Sequence, residues 1–96
     1  MRGGVDIVKD DELIADPPFC PRLKRIKLYM EKARQIYEET GHKVLYAVNV
    51  TDGAGKVLDN AKQAIDAGVN AIMINYLTVG VSAMQALAED PDINVP

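Results

Sequence analysis

One apolar segment restricts what this chain can fold into more than any other feature. Residues 43–50 read KVLYAVNV, and the residues from Val44 to Val48 are all apolar or aromatic. They lack the alternation of a strand with one solvated face. Such a run is typical of a strand that is buried on both faces of a parallel sheet. The fold therefore has to cover both sides of this segment.

Two further segments predict strands, and three predict helices. The β-branched run VDIV at residues 5–8 follows a Gly-Gly turn, and residues 69–76 form a third apolar run. Apolar residues at spacings of three and four predict helices. The predicted helices are residues 22–40, 56–67 and 81–89. Because strands and helices alternate, we expect a parallel sheet joined by right-handed crossovers, which places the chain in the α/β class.

The first two predicted helices each have one apolar face. In the first helix the residues expected to point inward are Leu23, Ile26, Met30, Ala33 and Tyr37. In the second helix they are Val57, Leu58, Ala61, Ala64 and Ile65. The basic run RLKRIK at residues 22–27 is interpreted as part of the solvated face. Gly41 is expected to end the first helix, because glycine adopts the left-handed conformation without strain.

A sheet built from these elements leaves one face bare. If the strands lie side by side in chain order, right-handed crossovers put every helix on the same face. Two alternatives cover the other face: a shuffled strand order, as in flavodoxin-like sheets, or membership of a larger closed (β/α)₈ barrel. Such a barrel needs about 250 residues, whereas this chain has 96.

Four charged residues follow the first predicted strand, with the sequence KDDE at residues 9–12. Catalytic residues of parallel sheets lie at this end of the strands. Lys9 and Asp11 should face the same way, and Glu12 can join them as the strand ends. Two carboxylates suit Mg²⁺, and a neutral lysine that adds CO₂ becomes an anionic carbamate that could also bind it. The alternative is a solvated turn in which Lys9 pairs with an acid.

Several segments are similar to one family. GGVDIVKDDE resembles a motif of the ribulose-bisphosphate carboxylase (RuBisCO) large chain and of the RuBisCO-like proteins. YAVNVT, NYLTVGVSAMQAL and LAEDPDINVP resemble later segments of the same family, so the similarity spans residues 3–96. The resemblance implies that residues 1–96 are a partial catalytic barrel domain. They would form the second to fourth βα units of a TIM (β/α)₈ barrel, with a parallel sheet and an incomplete barrel.

The resemblance also implies a site. Lys9 would be the catalytic residue and, as a carbamate, a ligand of Mg²⁺ beside Asp11 and Glu12. The cofactors would be one Mg²⁺ per site and the CO₂ that forms the carbamate. Asp10 does not match a ligand of the family. Asn49 matches an asparagine close to the active site, which suggests that it supports the ligands without binding the metal.

The implied activity is magnesium-dependent enolisation of a phosphorylated ketose or diketose, as in the enolases of methionine salvage. Leu13, Asn75 and Val79 depart from the residues of photosynthetic carboxylases and favour the RuBisCO-like branch. Two alternatives stay open: a piece of a true carboxylase of archaeal type, and a non-catalytic α/β assembly module. The family is enzymatic, but we expect this chain to be a fragment that is inactive by itself.

Composition and charge limit the partners. The net charge is −3, from 11 basic and 14 acidic residues, which gives no support to nucleic-acid binding. No apolar run of about 18 residues predicts a membrane span. The single Cys20 fits a reducing compartment, and the first residues do not resemble a signal peptide, so a cytoplasmic location is expected. Exposed sheet edges predict association with the remainder of the barrel or a second subunit, and a homo-oligomer.

Overall fold

The computed structural model describes residues 1–96 and confirms the predicted α/β class. The strands are β1 (Ile7–Lys9), β2 (Leu45–Asn49) and β3 (Ala71–Met73). The helices are α1 (Arg22–Thr40), α2 (Val57–Asp66), α3 (Tyr76–Val79) and α4 (Val81–Glu89). The third strand is shorter than predicted, because the chain turns into the short helix α3 where the apolar run suggested a longer strand.

The three strands form a parallel sheet in the order β1-β2-β3. Lys9 of β1 lies opposite Ala47 of β2, and Ala47 lies opposite Ala71 of β3. The strands therefore follow one another in chain order. A shuffled, flavodoxin-like order is wrong for this chain.

The core lies between one face of the sheet and the helices. Tyr46 and Val48 of β2 are fully buried and pack in one cluster with Ile26 of α1 and Val57 and Ala61 of α2. Burying each large apolar side chain contributes roughly 1.5–3 kcal/mol. The opposite face is open: Ile7 of β1, for example, is 61% exposed. The bare face that the strand order requires is thus present.

The predicted apolar face of α1 is only partly right. Ile26 and Ala33 are buried, but Leu23 and Tyr37 are 50% and 56% exposed. The buried surface also includes Ile36 and two residues of the basic run, Arg22 and Arg25. The interpretation of that run as wholly solvated is wrong for these two arginines, because polar partners from distant segments cover them. The Arg22 guanidinium donates to Asn60 Oδ1 at 2.9 Å.

Two local features complete the fold. The helix α1 ends at Gly41 as predicted, with φ 73° and a hydrogen bond from its N–H to the Tyr37 carbonyl at 2.8 Å. The rings of Tyr29 on α1 and Tyr46 on β2 stack with centroids 4.6 Å apart, which fixes the helix against the middle of the sheet. None of the helices is both long and apolar enough for a membrane crossing.

Candidate metal centre at the end of β1

The predicted ligands lie on a tight turn that begins where β1 ends. The Asp10 amide donates to the Ala47 carbonyl at 3.1 Å, so sheet pairing continues one residue beyond the strand. The chain then turns sharply, because the Leu13 amide donates to Asp11 Oδ1 at 2.8 Å and the Ile14 amide donates to the Asp11 carbonyl at 3.2 Å. This turn carries Asp11 and Glu12 at the carboxyl edge of the sheet.

Lys9 and Glu12 lie in direct contact on this turn. The Lys9 ammonium is 3.1 Å from Glu12 Oε1, and both side chains are about half exposed. It also donates to the Asp10 carbonyl at 3.0 Å. A hydrogen bond that the carboxylate accepts from its own backbone amide, and then the neighbouring Lys9, lower the pKa of the Glu12 carboxyl. The Glu12 carboxyl is therefore ionised at neutral pH and can offer its oxygens to a cation.

The Asp11 carboxylate has a different set of contacts. One of its oxygens accepts the Leu13 amide and so closes the turn. It makes no ion pair with Lys9, and its second oxygen has no hydrogen-bond partner in the chain. The structure thus brings Lys9 and Glu12 together. Asp11, which precedes Glu12 in the turn, keeps one carboxylate oxygen without a hydrogen-bond partner.

Asn49 holds the turn from the neighbouring strand. Its side-chain amide donates to the Asp11 carbonyl at 3.1 Å and to the Glu12 carbonyl at 2.9 Å. Its carbonyl oxygen accepts the Thr51 amide at 2.9 Å. Asn49 is fully buried under the turn, its bond to the Thr51 amide is buried, and its bonds to the Asp11 and Glu12 carbonyls are partly buried. Asn49 therefore holds the backbone of the turn that carries the predicted ligands, and its supporting role toward a metal stays a prediction.

Replacing Asn49 by alanine is expected to loosen this turn. The change leaves the buried Thr51 amide and the partly buried carbonyls of Asp11 and Glu12 without partners, which costs about 1–3 kcal/mol of unfolding free energy. Urea denaturation measures that loss. The matched control is Asn70→Ala, because Asn70 bonds in the same way to the Val44 carbonyl and the Tyr46 amide at the opposite end of β2. We expect both variants to lose the same free energy of unfolding, and only Asn49→Ala to have a lower magnesium affinity. Equal magnesium affinity in the two variants would contradict the prediction.

Sequence reasoning missed the role of Asp10. Its side chain is only 6% exposed and accepts hydrogen bonds from Arg25 at 2.9 Å and from the Tyr46 hydroxyl at 2.6 Å. Burial, and then the contact with Asp10, raise the pKa of Tyr46, so its hydroxyl remains a donor. The alternation of side chains along β1 could have indicated this role. Asp10 is two residues after Val8, so both side chains point to the same face of the sheet, and Val8 packs on the core.

The donor set around the turn fits a hard cation only if Lys9 contributes oxygen. No group of three or more His, Cys, Asp and Glu side chains gathers anywhere in the chain. Asp11 and Glu12 supply two carboxylates, whereas Mg²⁺ takes six oxygens, several of them from water or substrate. A carbamate on Lys9 would add a third anionic group and would remove the ammonium that otherwise repels the metal.

The site is an open surface. The largest cavity, about 650 Å³, lies between α1 and the residues after α2, and Leu23, Lys27 and Gly68 are among its lining residues. Neither this cavity nor any smaller one is lined by Lys9, Asp11 or Glu12. A sheet of three strands exposes these side chains without enclosing a substrate.

Comparisons with known proteins identify the family. Residues 1–94 match the ribulose bisphosphate carboxylase large chain, catalytic domain. The chain belongs to this family. A RuBisCO-like protein of Archaeoglobus fulgidus is 50% identical over 95 residues, which cover 99% of this chain and 22% of that protein. The 2,3-diketo-5-methylthiopentyl-1-phosphate enolase of Bacillus cytotoxicus is 46% identical over 94 residues, which cover 98% of this chain and 23% of the enolase.

Solved structures agree with the sequence relatives. A RuBisCO-like protein of Alicyclobacillus acidocaldarius superposes with a TM-score of 0.88 at 35% identity, covering 98% of this chain and 24% of that one. A dimeric archaeal RuBisCO of Hyperthermus butylicus gives a TM-score of 0.83 at 39% identity, with 91% and 20% covered. The chain therefore spans less than a quarter of the length of each of these proteins.

Proposed function

We propose that this chain carries the metal-binding part of a magnesium-dependent enolising enzyme of the RuBisCO-like branch. Its substrate would be a phosphorylated diketose of the kind named for the Bacillus enolase. The observation that carries the proposal is the contact of Lys9 with Glu12 at 3.1 Å, on a turn that also presents Asp11 at the carboxyl edge of the sheet.

The residues of the turn would act in a defined order. Lys9 first loses a proton, and its neutral amine then adds CO₂; a C–N bond forms and a second proton is released to solvent. The resulting carbamate, Asp11 and Glu12 would hold Mg²⁺, which when bound supplies Lewis acidity toward the substrate carbonyl. The carbamate would accept, or would position the group that accepts, the proton lost from the adjacent carbon.

The open face of the sheet supports a barrel as the complete architecture. Eight βα units close a (β/α)₈ barrel, and the inner faces of its strands then cover one another. We propose that β1, β2 and β3 are the second to fourth strands of such a barrel, with the exposed Ile7 facing its interior. The dimeric state of the Hyperthermus relative supports a homo-oligomer for the complete protein.

A segment exchange tests the proposed activity. The 96 residues replace the matching segment of the Bacillus cytotoxicus enolase, to which they are 46% identical. The chimaera is expected to enolise the diketose phosphate in the presence of Mg²⁺ and bicarbonate. The same exchange with Asp16→Asn is the control, because Asp16 lies outside the turn and contacts Arg22 at the start of α1.

A parallel exchange tests the alternative. Similarity to the Hyperthermus carboxylase, at 39% identity, favours a carboxylase as the second candidate. If only the chimaera made with that protein is active, and it fixes CO₂, the chain belongs to the carboxylase branch. If both chimaeras fold and neither turns over, the chain is a non-catalytic module and the proposed function is wrong.

A further inference from the structure

The buried residue beside the proposed ligands has no part in the proposed chemistry. Asp10 separates Lys9 from Asp11, yet its side chain lies on the opposite face of the sheet, under α1. Only 6% of it is exposed. A charge buried to this extent is unfavourable unless it is fully paired, so the position calls for a physical reason.

Three donors satisfy the Asp10 carboxylate. The Tyr46 hydroxyl donates to Oδ1 at 2.6 Å. The Arg25 guanidinium and the backbone amide of Asn49 donate to Oδ2 at 2.9 Å and 3.0 Å. An ionised carboxylate accepts about four hydrogen bonds, so little capacity is left for a metal. Asp10 is an internal anchor, whereas its two acidic neighbours keep exposed oxygens.

The same donors reach the other parts of the site. Arg25 also donates to the Ala15 carbonyl at 2.8 Å and to the Cys20 carbonyl, both in the loop that follows the turn. Asn49, whose amide bonds to Asp10, uses its side chain to bind the carbonyls of Asp11 and Glu12. Asp10 is thus the point at which β1, β2, α1 and the loop are joined.

The alternation of a strand gives this anchor a directional effect. Successive side chains of an extended chain point to opposite faces, and a slip of one residue reverses all of them. With Asp10 fixed toward α1, its neighbour Lys9 is directed to the open face, where it meets Glu12. A slip would place Lys9 among the core residues.

We propose that Asp10 is a positioning residue, whose bonds to Arg25, Tyr46 and the Asn49 amide direct Lys9 and the Asp11–Glu12 turn to the open face of the sheet. The proposal rests on the proposed function, since it concerns the same ligands. Stability alone is a weaker explanation, because a buried ion pair often contributes no more than a hydrophobic pair of the same volume. Its three directed hydrogen bonds form in one register only, which is a specificity that buried polar groups add in some proteins.

The test compares magnesium binding in three variants of the chain. Affinity is measured by calorimetry with bicarbonate present, and ¹³C-bicarbonate NMR reports the Lys9 carbamate. Asp10→Asn is expected to lower the affinity about 10–100-fold, the usual effect of losing a group that orients ligands, and to reduce the carbamate signal. Tyr46→Phe, which removes one donor, is expected to act in the same direction with a smaller loss. Asp16→Asn, in the same loop, is the control and is expected to bind as the wild type does.

Each outcome has a defined meaning. Wild-type affinity in Asp10→Asn overturns the proposal; if that variant does not fold, wild-type affinity in Tyr46→Phe overturns it instead. A wild-type chain that forms no carbamate and binds no Mg²⁺ contradicts the proposed function. In that case the amide NMR shifts of Glu12 and Leu13 in the metal-free chain decide the positioning role. They are expected to move in Tyr46→Phe and to stay fixed in Asp16→Asn, and unmoved shifts in both overturn it.

Discussion

Replacing Lys9 by alanine is expected to abolish bicarbonate-dependent magnesium binding. The variant lacks the amine that would add CO₂, so only the carboxylates of Asp11 and Glu12 remain. Loss of an orienting group already lowers metal affinity about 10–100-fold, and loss of a ligand should lower it further. Calorimetric titration with and without bicarbonate measures the effect, and the ¹³C carbamate resonance should disappear.

Lys9→Arg is the informative companion variant. Arginine keeps the positive charge beside Glu12, which lies 3.1 Å from the lysine ammonium in the wild type. It is always protonated in proteins and therefore cannot add CO₂. If Lys9 serves only as an ion-pair partner, Lys9→Arg should behave as the wild type; if it serves as a carbamate, Lys9→Arg should fail as Lys9→Ala does. Bicarbonate-dependent binding that persists in both variants would refute the carbamate.

Replacing Arg25 by methionine is expected to be strongly destabilising. It leaves the Asp10 carboxylate buried without its cation, and removing one partner of a buried ion pair costs about 3–5 kcal/mol. The Ala15 carbonyl also loses its donor. Urea denaturation should show a correspondingly lower free energy of unfolding.

The matched control lies on the same helix. Arg34→Met removes an exposed arginine whose contact with Glu38 is 4.0 Å long, and exposed pairs of this kind contribute about 0.3–0.5 kcal/mol. The double variant Asp10→Asn with Arg25→Met should recover part of the lost stability, because asparagine still accepts from the Asn49 amide without leaving a buried charge. Equal losses in Arg25→Met and Arg34→Met would show that the buried pair contributes little.

Periodicity was sufficient for the α/β class and for the order of the strands and the longer helices, because these elements are defined by local patterns. The apolar run without alternation at residues 44–48 predicted β2, and the spacing of Val57, Ala61 and Ala64 predicted the buried side of α2. The end of β3 was predicted wrongly, since Tyr76 begins a short helix in an apolar stretch that suits either structure. Apolar composition alone does not distinguish the two.

The buried arginines show where local patterns fail. A basic residue on a helix is normally solvated, and the spacing of apolar residues gave no reason to expect otherwise. The partner of Arg25 is 15 residues away and that of Arg22 is 38 residues away. Only the folded chain brings them together. The motif predicted Lys9, Asp11 and Glu12 as a group because these residues are neighbours in sequence. The anchoring role of Asp10 was missed because it depends on contacts with α1 and β2, which are distant in sequence.

The tyrosine stack gives this chain a spectroscopic reporter of its own. The chain contains four tyrosines and no tryptophan, so its near-ultraviolet dichroism and its fluorescence come from phenol rings without interference from indole. Tyr46 is stacked on Tyr29 and bonded to Asp10. A rearrangement at the end of β1 should therefore change these optical bands. Binding of Mg²⁺ at the open face could then be followed without any label.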